Sequence, residues 1–294
     1  MTRQSTNHLM MLEPVDFREN PETRDTNAYQ HKDDKSAADI NAKAVKEFRA
    51  FRDTLIDHGV IVTTVKGQKG CPDDIFCNNI VSTHDQRRMV IYPMLAENRA
   101  KERRADVLDT IRKSYTDVLD FSPHRQHGKA LESTGALCMD RLNKIAYMAR
   151  SARSDEELAK LWCKTMGYTL LPFDTEHKGK PVYHTDVVMW IGTGIAGICA
   201  DVVKDKGVLT SLRKHREVIE FTPAQMEAFC GNALEVVGTE GHRMLVMSAA
   251  GAKALTAAQK KILGTHFKTI IEADIPTIEY YGGGSARCML LELF

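Results

Sequence analysis

The sequence holds no apolar run near the roughly 20 residues that a membrane span needs, and its first eight residues, Met1 to His8, lack the apolar core of a secretory signal. It also lacks an excess of charge of either sign. Forty Lys and Arg face 39 Asp and Glu, so the 294 residues carry a formal net charge of +1. That balance leaves no electrostatic case for nucleic acid or a membrane surface as a partner. The seven cysteines are odd in number and contain no C-x-x-C pair, so they indicate neither a disulfide framework nor a thiolate zinc site. No G-x-G-x-x-G opens a helix after the first strand, which counts against a dinucleotide site. Most of the cysteines sit among apolar neighbours and read as reduced core thiols of a soluble, cytoplasmic protein.

What the chain does have is a repeated alternation of short strands and helices. Met10 to Pro14 and Gly59 to Val65 read as strands. Between them 37–56 reads as an amphipathic helix, with Ala44, Phe48, Phe51 and Leu55 recurring at helical spacing. Strands are expected at 88–92, 187–191, 195–202, 245–248, 270–272 and 288–294, with the pair 187–191 and 195–202 turning at Gly192-Thr193-Gly194. Helices are expected at 103–115, at 154–166 from a Ser154 cap, at 222–229 with Thr222 as cap and Pro223 at its first position, and at 255–263. The units return about every 50–60 residues with no low-complexity linker, which argues for one α/β domain of repeated modules over 1–294.

Four segments place polar groups in otherwise apolar surroundings. Near the end, Gly282-Gly283-Gly284-Ser285-Ala286-Arg287-Cys288 runs three glycines into a cysteine. Alone, this fits equally a substrate resting against a thiolate and a tight turn leading to a buried cysteine in a last strand. His184 and Asp186 precede an apolar strand, where an i, i+2 spacing puts both on one face; they fit acid–base work and cation binding, or a solvated strand end. Asp73, Asn78 and Asn79 offer a carboxylate and two amides to a planar head group, or to loop backbone. Glu132 by itself carries almost no signal.

In their order these segments resemble the guanidine-modifying, or pentein, superfamily, which includes arginine deiminases, dimethylarginine dimethylaminohydrolases and arginine amidinotransferases. The match is nearest to the branch of arginine-deiminase-related, citrulline-utilisation hydrolases. It runs from Met11-Leu12-Glu13-Pro14 through Asp73-x-x-Phe76-x-Asn78-Asn79, Asn98-Arg99, Leu131-Glu132-x-Thr134-Gly135, Tyr183-His184-Thr185 and Phe229-Cys230-Gly231-Asn232 to Gly284-Ser285-x-Arg287-Cys288-Met289. The resemblance implies a five-module ββαβ propeller with a site in its central channel. It implies Cys288 as nucleophile, His184 as general acid and base, and Glu132 orienting His184 and contacting substrate nitrogens. Asp186 would grip a guanidinium, and Asp73 would face the substrate. Arg99 and Arg153 lie in segments similar to those that supply carboxylate-binding arginines, and each reads equally as a surface arginine. His84 is the one other histidine singled out, and Arg287 is expected to serve its own loop.

The implied reaction is hydrolysis at the guanidino or ureido carbon of an arginine-related small molecule through a covalent cysteine adduct, with no metal or organic cofactor. One departure matters. The family's deiminases and dimethylarginine hydrolases carry acids where this chain has Asn78 or Asn79, which favours a neutral ureido group, whereas Asp186 favours a cation. An amidinotransferase and a non-catalytic amino-acid-binding protein on the same fold are the alternatives, and a homodimer is left open.

Overall fold

The computed structural model describes residues 2–294, and among them fifteen strands group into five sheets of three. One sheet holds β1 (His8–Glu13) and β2 (Ile61–Lys66) with the last strand; the next is β3 (Val81–His84), β4 (Arg88–Ile91) and β5 (Asp117–Asp120). The third is β6 (Cys138–Asp140), β7 (Ile145–Ala149) and β8 (Thr169–Phe173), and the fourth is β9 (Met189–Ile191), β10 (Ile195–Ile198) and β11 (Glu217–Glu220). The fifth is β12 (Leu234–Val237), β13 (Arg243–Ser248) and β14 (Ile270–Ala273), after which β15 (Leu291–Leu293) joins the first sheet.

Every sheet repeats one connection: an antiparallel pair, then a crossover to a strand parallel with the middle one. A parallel pair cannot be joined by a tight turn, so each crossover carries a helix. These helices are α1 (Ala37–Asp57), α2 (Ala105–Arg112), α3 (Glu156–Met166), α4 (Gly207–His215) and α5 (Ala257–His266). The first module is split between the chain ends: β15 pairs antiparallel with β1, so both ends of the described chain close one sheet. Helix α1 starts where the Ser36 hydroxyl accepts the Asp39 N–H, and it buries Ile40, Ala44, Phe48, Phe51 and Leu55, the face read from the sequence. The repeated ββαβ modules are those expected.

Several local expectations differ. Helix α3 is capped by Asp155, which accepts the Leu158 N–H, because the Ser154 hydroxyl is already donated to Ala149 O (2.7 Å). Residues 185–188 and 286–289 are helical turns, so Val187 and Val188 stand outside β9, and Cys288 outside β15. Strand β10 stops at Ile198, and 200–202 is a 3-10 turn. Strands β3, β5, β6, β7, β8, β11 and β12 carry no sequence expectation; at three to five residues they are too short for a two-residue alternation to register.

Leu291, 1% exposed at the start of β15, packs with Met10, Leu12, Cys77 and Leu293 where the chain ends meet. Leu291→Ala is expected to lower unfolding free energy by roughly 2–5 kcal/mol, read as a shifted midpoint in urea. A midpoint within error of the parent would mean that this closing strand contributes nothing to the cooperative unit.

Candidate active site

The first strand of each hairpin is entered through a short turn: Cys77–Asn79 before β3, Ser133–Ala136 before β6, Thr185–Val188 before β9, residues 228–232 before β12, and Ala286–Met289 before β15. Side chains link the turns in a closed circle. Thr134 Oγ1 donates to Asn78 O (3.0 Å) and Thr185 Oγ1 to Ala136 O (2.5 Å). Asn232 Nδ2 donates to Asp186 O (2.9 Å), the Arg287 N–H donates to Asn232 Oδ1 (3.0 Å), and Cys77 Sγ donates to Met289 O (3.4 Å). The circle gathers Asn78, Asn79, Glu132, His184, Asp186, Asn232 and Cys288, all buried.

Cys288 Sγ lies 3.6 Å from Asp186 Oδ2 and accepts the Asn232 amide at 3.2 Å. Burial, reinforced by the Asp186 carboxylate, pushes the thiol well above its ordinary range. Asn78 Nδ2 donates to the same Asp186 oxygen (3.1 Å) and to Thr134 Oγ1 (3.2 Å). Asp186 Oδ1 has no partner among the described residues. Burial raises the Asp186 carboxyl, against the opposing pull of the His184 and Arg287 charges and the Asn78 amide. His184 and Asp186 do not share a strand face, as their spacing predicted. His184 caps the 185–188 turn with an extended backbone and Asp186 sits inside it, because the Asp186 carbonyl is bound by Asn232 instead of a strand partner.

Glu132 Oε2 accepts His184 Nε2–H at 2.8 Å, and Glu132 Oε1 accepts the Leu95 N–H at 3.0 Å. Burial alone would raise Glu132, but Arg153 (3.5 Å), the His184 hydrogen bond and Arg99 (3.8 Å) outweigh it and hold this carboxyl far below the usual range. Glu132 is therefore an anion that fixes the imidazole through Nε2 and leaves Nδ1 outside that contact. A Cβ on Gly135 would lie 2.8 Å from that Nδ1 and 2.3 Å from Asn79 Nδ2, so only glycine allows the two groups to meet there. The three glycines before Cys288 serve packing rather than substrate approach. Gly283 is left-handed (φ 59) beside Asn27 and Gln30, while Gly282 and Gly284 lie on the Phe76 ring.

A model for the family N,N dimethylarginine dimethylhydrolase, eukaryotic, matches residues 13–294. The chain belongs to this family. No curated protein matches in sequence. Among solved structures, full-length ArgZ, an arginine dihydrolase from the ornithine-ammonia cycle in cyanobacteria, superposes with a TM-score of 0.75 at 17% identity, over 97% of this chain and 40% of that one. The chain thus spans about 40% of the full-length ArgZ chain. The ArgZ N-terminal domain, as a cysteine-to-serine mutant bound to substrate, gives 0.73 at 16% identity over 97% of both chains. The dimethylarginine hydrolase of Pseudomonas aeruginosa, complexed with citrulline, gives 0.70 at 17%, over 97% of this chain and 98% of that one. These likenesses establish the pentein fold.

The remaining family-implied residues divide. Asp73 is buried outside the circle: Asn20 Nδ2 (2.7 Å) and Thr23 Oγ1 (3.2 Å) hold Oδ2, and Oδ1 is unpartnered among the described residues. Arg153 packs over the Tyr183 ring (4.9 Å) and donates to Thr26 Oγ1 (2.8 Å), with Nε free of protein partners among the described residues. Arg99 points into the protein. It pairs with both Glu102 oxygens (3.0 and 3.1 Å) and donates to Asn79 Oδ1 (2.8 Å) and Phe76 O (3.0 Å). Arg287 binds Leu290 O and Glu292, within its own segment. His84 lies elsewhere, between Ser82 and Arg141. Asn232 escaped the sequence reading of the site, although it ends the family-like Phe229-Cys230-Gly231-Asn232 segment. Among the described residues no helix is long and apolar enough to cross a membrane, and no group of three or more His, Cys, Asp and Glu is placed to hold a metal ion.

Beside Asp73, burial pushes Asp74 from an ordinary 3.8 up to about 7, against the Gln68 N–H that it accepts at 2.7 Å. Between those values the folded chain keeps a proton that the unfolded chain has released, so this group makes stability fall as pH rises from about 4 to 7. Asp74→Asn keeps the hydrogen bond and removes the titration. The difference in Tm between pH 5 and pH 8 is expected to be smaller in the variant; equal differences would exclude Asp74 as a buried titrating group.

Proposed function

We propose that this chain is a cysteine-dependent hydrolase that attacks the guanidino carbon of an arginine-type compound, with 1–294 acting as one catalytic domain. The observation that carries the reading is the 3.6 Å contact between the buried Cys288 and Asp186, with the second Asp186 oxygen unpaired among the described residues. A buried thiol beside a buried carboxylate is a poor nucleophile until a cation arrives. A guanidinium docked on Asp186, with Asp73 and the amides of Asn78 and Asn79 around it, neutralises the carboxylate and favours the thiolate.

The steps then balance. Cys288 passes its proton to His184, and its sulfur bonds to the guanidino carbon to form a tetrahedral adduct. His184, kept oriented by the Glu132 anion, gives a proton to the departing amine or ammonia, and the C–N bond breaks to leave an S-alkylthiouronium on Cys288. His184 next takes a proton from water as the hydroxyl adds to the same carbon. The C–S bond breaks, the departing Cys288 sulfur takes up the hydroxyl proton to return as a thiol, and the product is a neutral ureido compound. Arg153, poised on Tyr183 with an unused donor, is suited to the substrate's carboxylate. Arg99, whose guanidinium is taken up by Glu102, Asn79 and Phe76, is suited instead to holding Asn79 and Glu132 in place.

A second reading follows from the amides. Asn78 and Asn79 weaken the field for a cation and suit a neutral ureido head, so the first product can itself re-enter the reaction. The arginine dihydrolase among the structural neighbours gives this weight.

Incubating wild-type protein and Cys288→Ser with arginine, methylated arginines, agmatine and citrulline, and counting ammonia and methylamines by mass spectrometry, separates the readings. One guanidino compound is expected to turn over, with loss on the order of 10³-fold or more in the variant. One ammonia per substrate indicates a single hydrolysis and two a double one. Silence across the panel from folded protein would remove the hydrolase reading and leave the transferase and the binding protein.

Asp186→Asn is expected to cost kcat/KM roughly 30-fold or more on the guanidino substrate and less on its ureido analogue. An unchanged preference between the two would take Asp186 out of substrate recognition.

A further inference from the structure

We propose that Asn232 is a positioning residue for Cys288, which holds the sulfur with an uncharged N–H donor and ties it to the turn that carries Asp186. The inference rests on the reading of Cys288 as nucleophile and names a determinant of that same site.

The Asn232 side chain is fully buried, and both its N–H groups and its carbonyl oxygen are engaged. One N–H points at Cys288 Sγ (3.2 Å), the other at Asp186 O (2.9 Å), and the carbonyl oxygen accepts the Arg287 N–H (3.0 Å). The amide cannot be turned over. A swap would set its oxygen against the Asp186 carbonyl and its NH2 against the Arg287 N–H, losing two bonds at once. Its orientation toward the sulfur is thus imposed by backbone on both sides. Gly231 makes the approach feasible, since a Cβ there would lie 2.0 Å from Val187 O.

The charged and titratable groups around Cys288 explain why an uncharged donor matters. Asp186 faces the sulfur from the 185–188 turn, with His184 and Tyr183 just before it; Cys138 faces it from β6, and Arg287 precedes it in the chain. Arg287 spends its donors on Leu290 O and Glu292. Burial and Asp186 push the thiol up, whereas Asn232 and the Ser285 segment pull it down. A cationic donor in place of Asn232 would compete with a guanidinium for Asp186. An amide supports the sulfur anion and leaves Asp186 to the substrate. By bonding both the Asp186 carbonyl and Cys288, the same side chain also fixes the nucleophile relative to the carboxylate.

The test is the pH dependence of Cys288 alkylation by iodoacetamide, followed by mass spectrometry, in wild type, Asn232→Asp and Asn232→Ala, alongside kcat and KM. Asn232→Asp is nearly isosteric and can still accept the Arg287 N–H, so it guards against loss of fold in the alanine variant. The midpoint of labelling is expected to rise by about one pH unit or more in both variants, more in Asn232→Asp. Labelling at neutral pH and kcat should fall about tenfold or more, with KM nearly unchanged. Folded variants with the wild-type midpoint would overturn the proposal even if kcat dropped, because a purely structural role lowers turnover without moving the titration. Wild-type protein in which Cys288 resists alkylation at every pH would overturn the nucleophile reading and this inference with it.

Discussion

The closed circle of five turns is the constraint on which the rest of the molecule depends. Each turn is anchored to the next by a side chain that reaches a backbone group, or by a backbone N–H that reaches a side chain: Thr134 to Asn78 O, Thr185 to Ala136 O, Asn232 to Asp186 O, Arg287 N–H to Asn232, and Cys77 to Met289 O. Such bonds read shape and not charge, so the circle is rigid without cancelling the charges placed on it. A sheet-only propeller would line its axis with alternating strand residues. Entering each of these strands through a short turn instead lets two neighbouring residues, such as Asn78 and Asn79, act in different directions. Asn78 meets Asp186, while Asn79 meets Arg99.

On that frame, two carboxylates are pushed opposite ways. Glu132 is surrounded by Arg153, His184 and Arg99 and stays an anion, while Asp186 is raised by burial with only amides and a thiol in direct contact. Environments that separate like groups in this way assign their roles. The Glu132 anion orients the imidazole, and under the proposed reading the other carboxylate is the one that a substrate cation would pair with. Arg99 enforces the difference. Held by both Glu102 oxygens, it is itself 2% exposed and supports Asn79 and Glu132 together. A buried ion pair of this kind adds little net stability, but losing one partner leaves an uncompensated charge, at a cost of roughly 3–5 kcal/mol.

Long-period features were legible in the sequence. The buried face of α1, the Thr222 cap with Pro223, and the hairpin around Gly192-Thr193-Gly194 are local patterns that tertiary packing only confirms. The turns were not. His184 and Asp186 read as alternating strand residues because i, i+2 spacing cannot be told from a turn without knowing where the Asp186 carbonyl goes. Ser154 was a reasonable cap until its hydroxyl was claimed by Ala149 O. The glycines before Cys288 signalled a tight loop correctly, but their neighbours, Phe76, Asn27 and Gln30, lie more than 200 residues away in the chain. Residue types at the site came from family-like order; their partners, above all Asn232 for Cys288 and Glu102 for Arg99, are facts of three-dimensional closure.

The seven cysteines show why burial cannot by itself select a nucleophile. All are buried and free, and burial pushes Cys77, Cys163 and Cys230 up to about 12 and Cys199 to about 11, with Cys288 raised as well. In the resting protein none is a good thiolate. Cys288 and Cys138 are both raised by the Asp186 carboxylate as well as by burial, and Cys288 lies in contact with it. Cys163 is raised by desolvation alone, which no ligand arriving in the channel can undo. Cys288 is raised in part by one carboxylate 3.6 Å away, and that contribution disappears when a cation pairs with Asp186. The donor that remains, the Asn232 amide, then acts on a sulfur no longer facing a bare anion. The state of the sulfur thus depends on what neutralises the neighbouring carboxylate and on the amide that faces it, and not on burial alone.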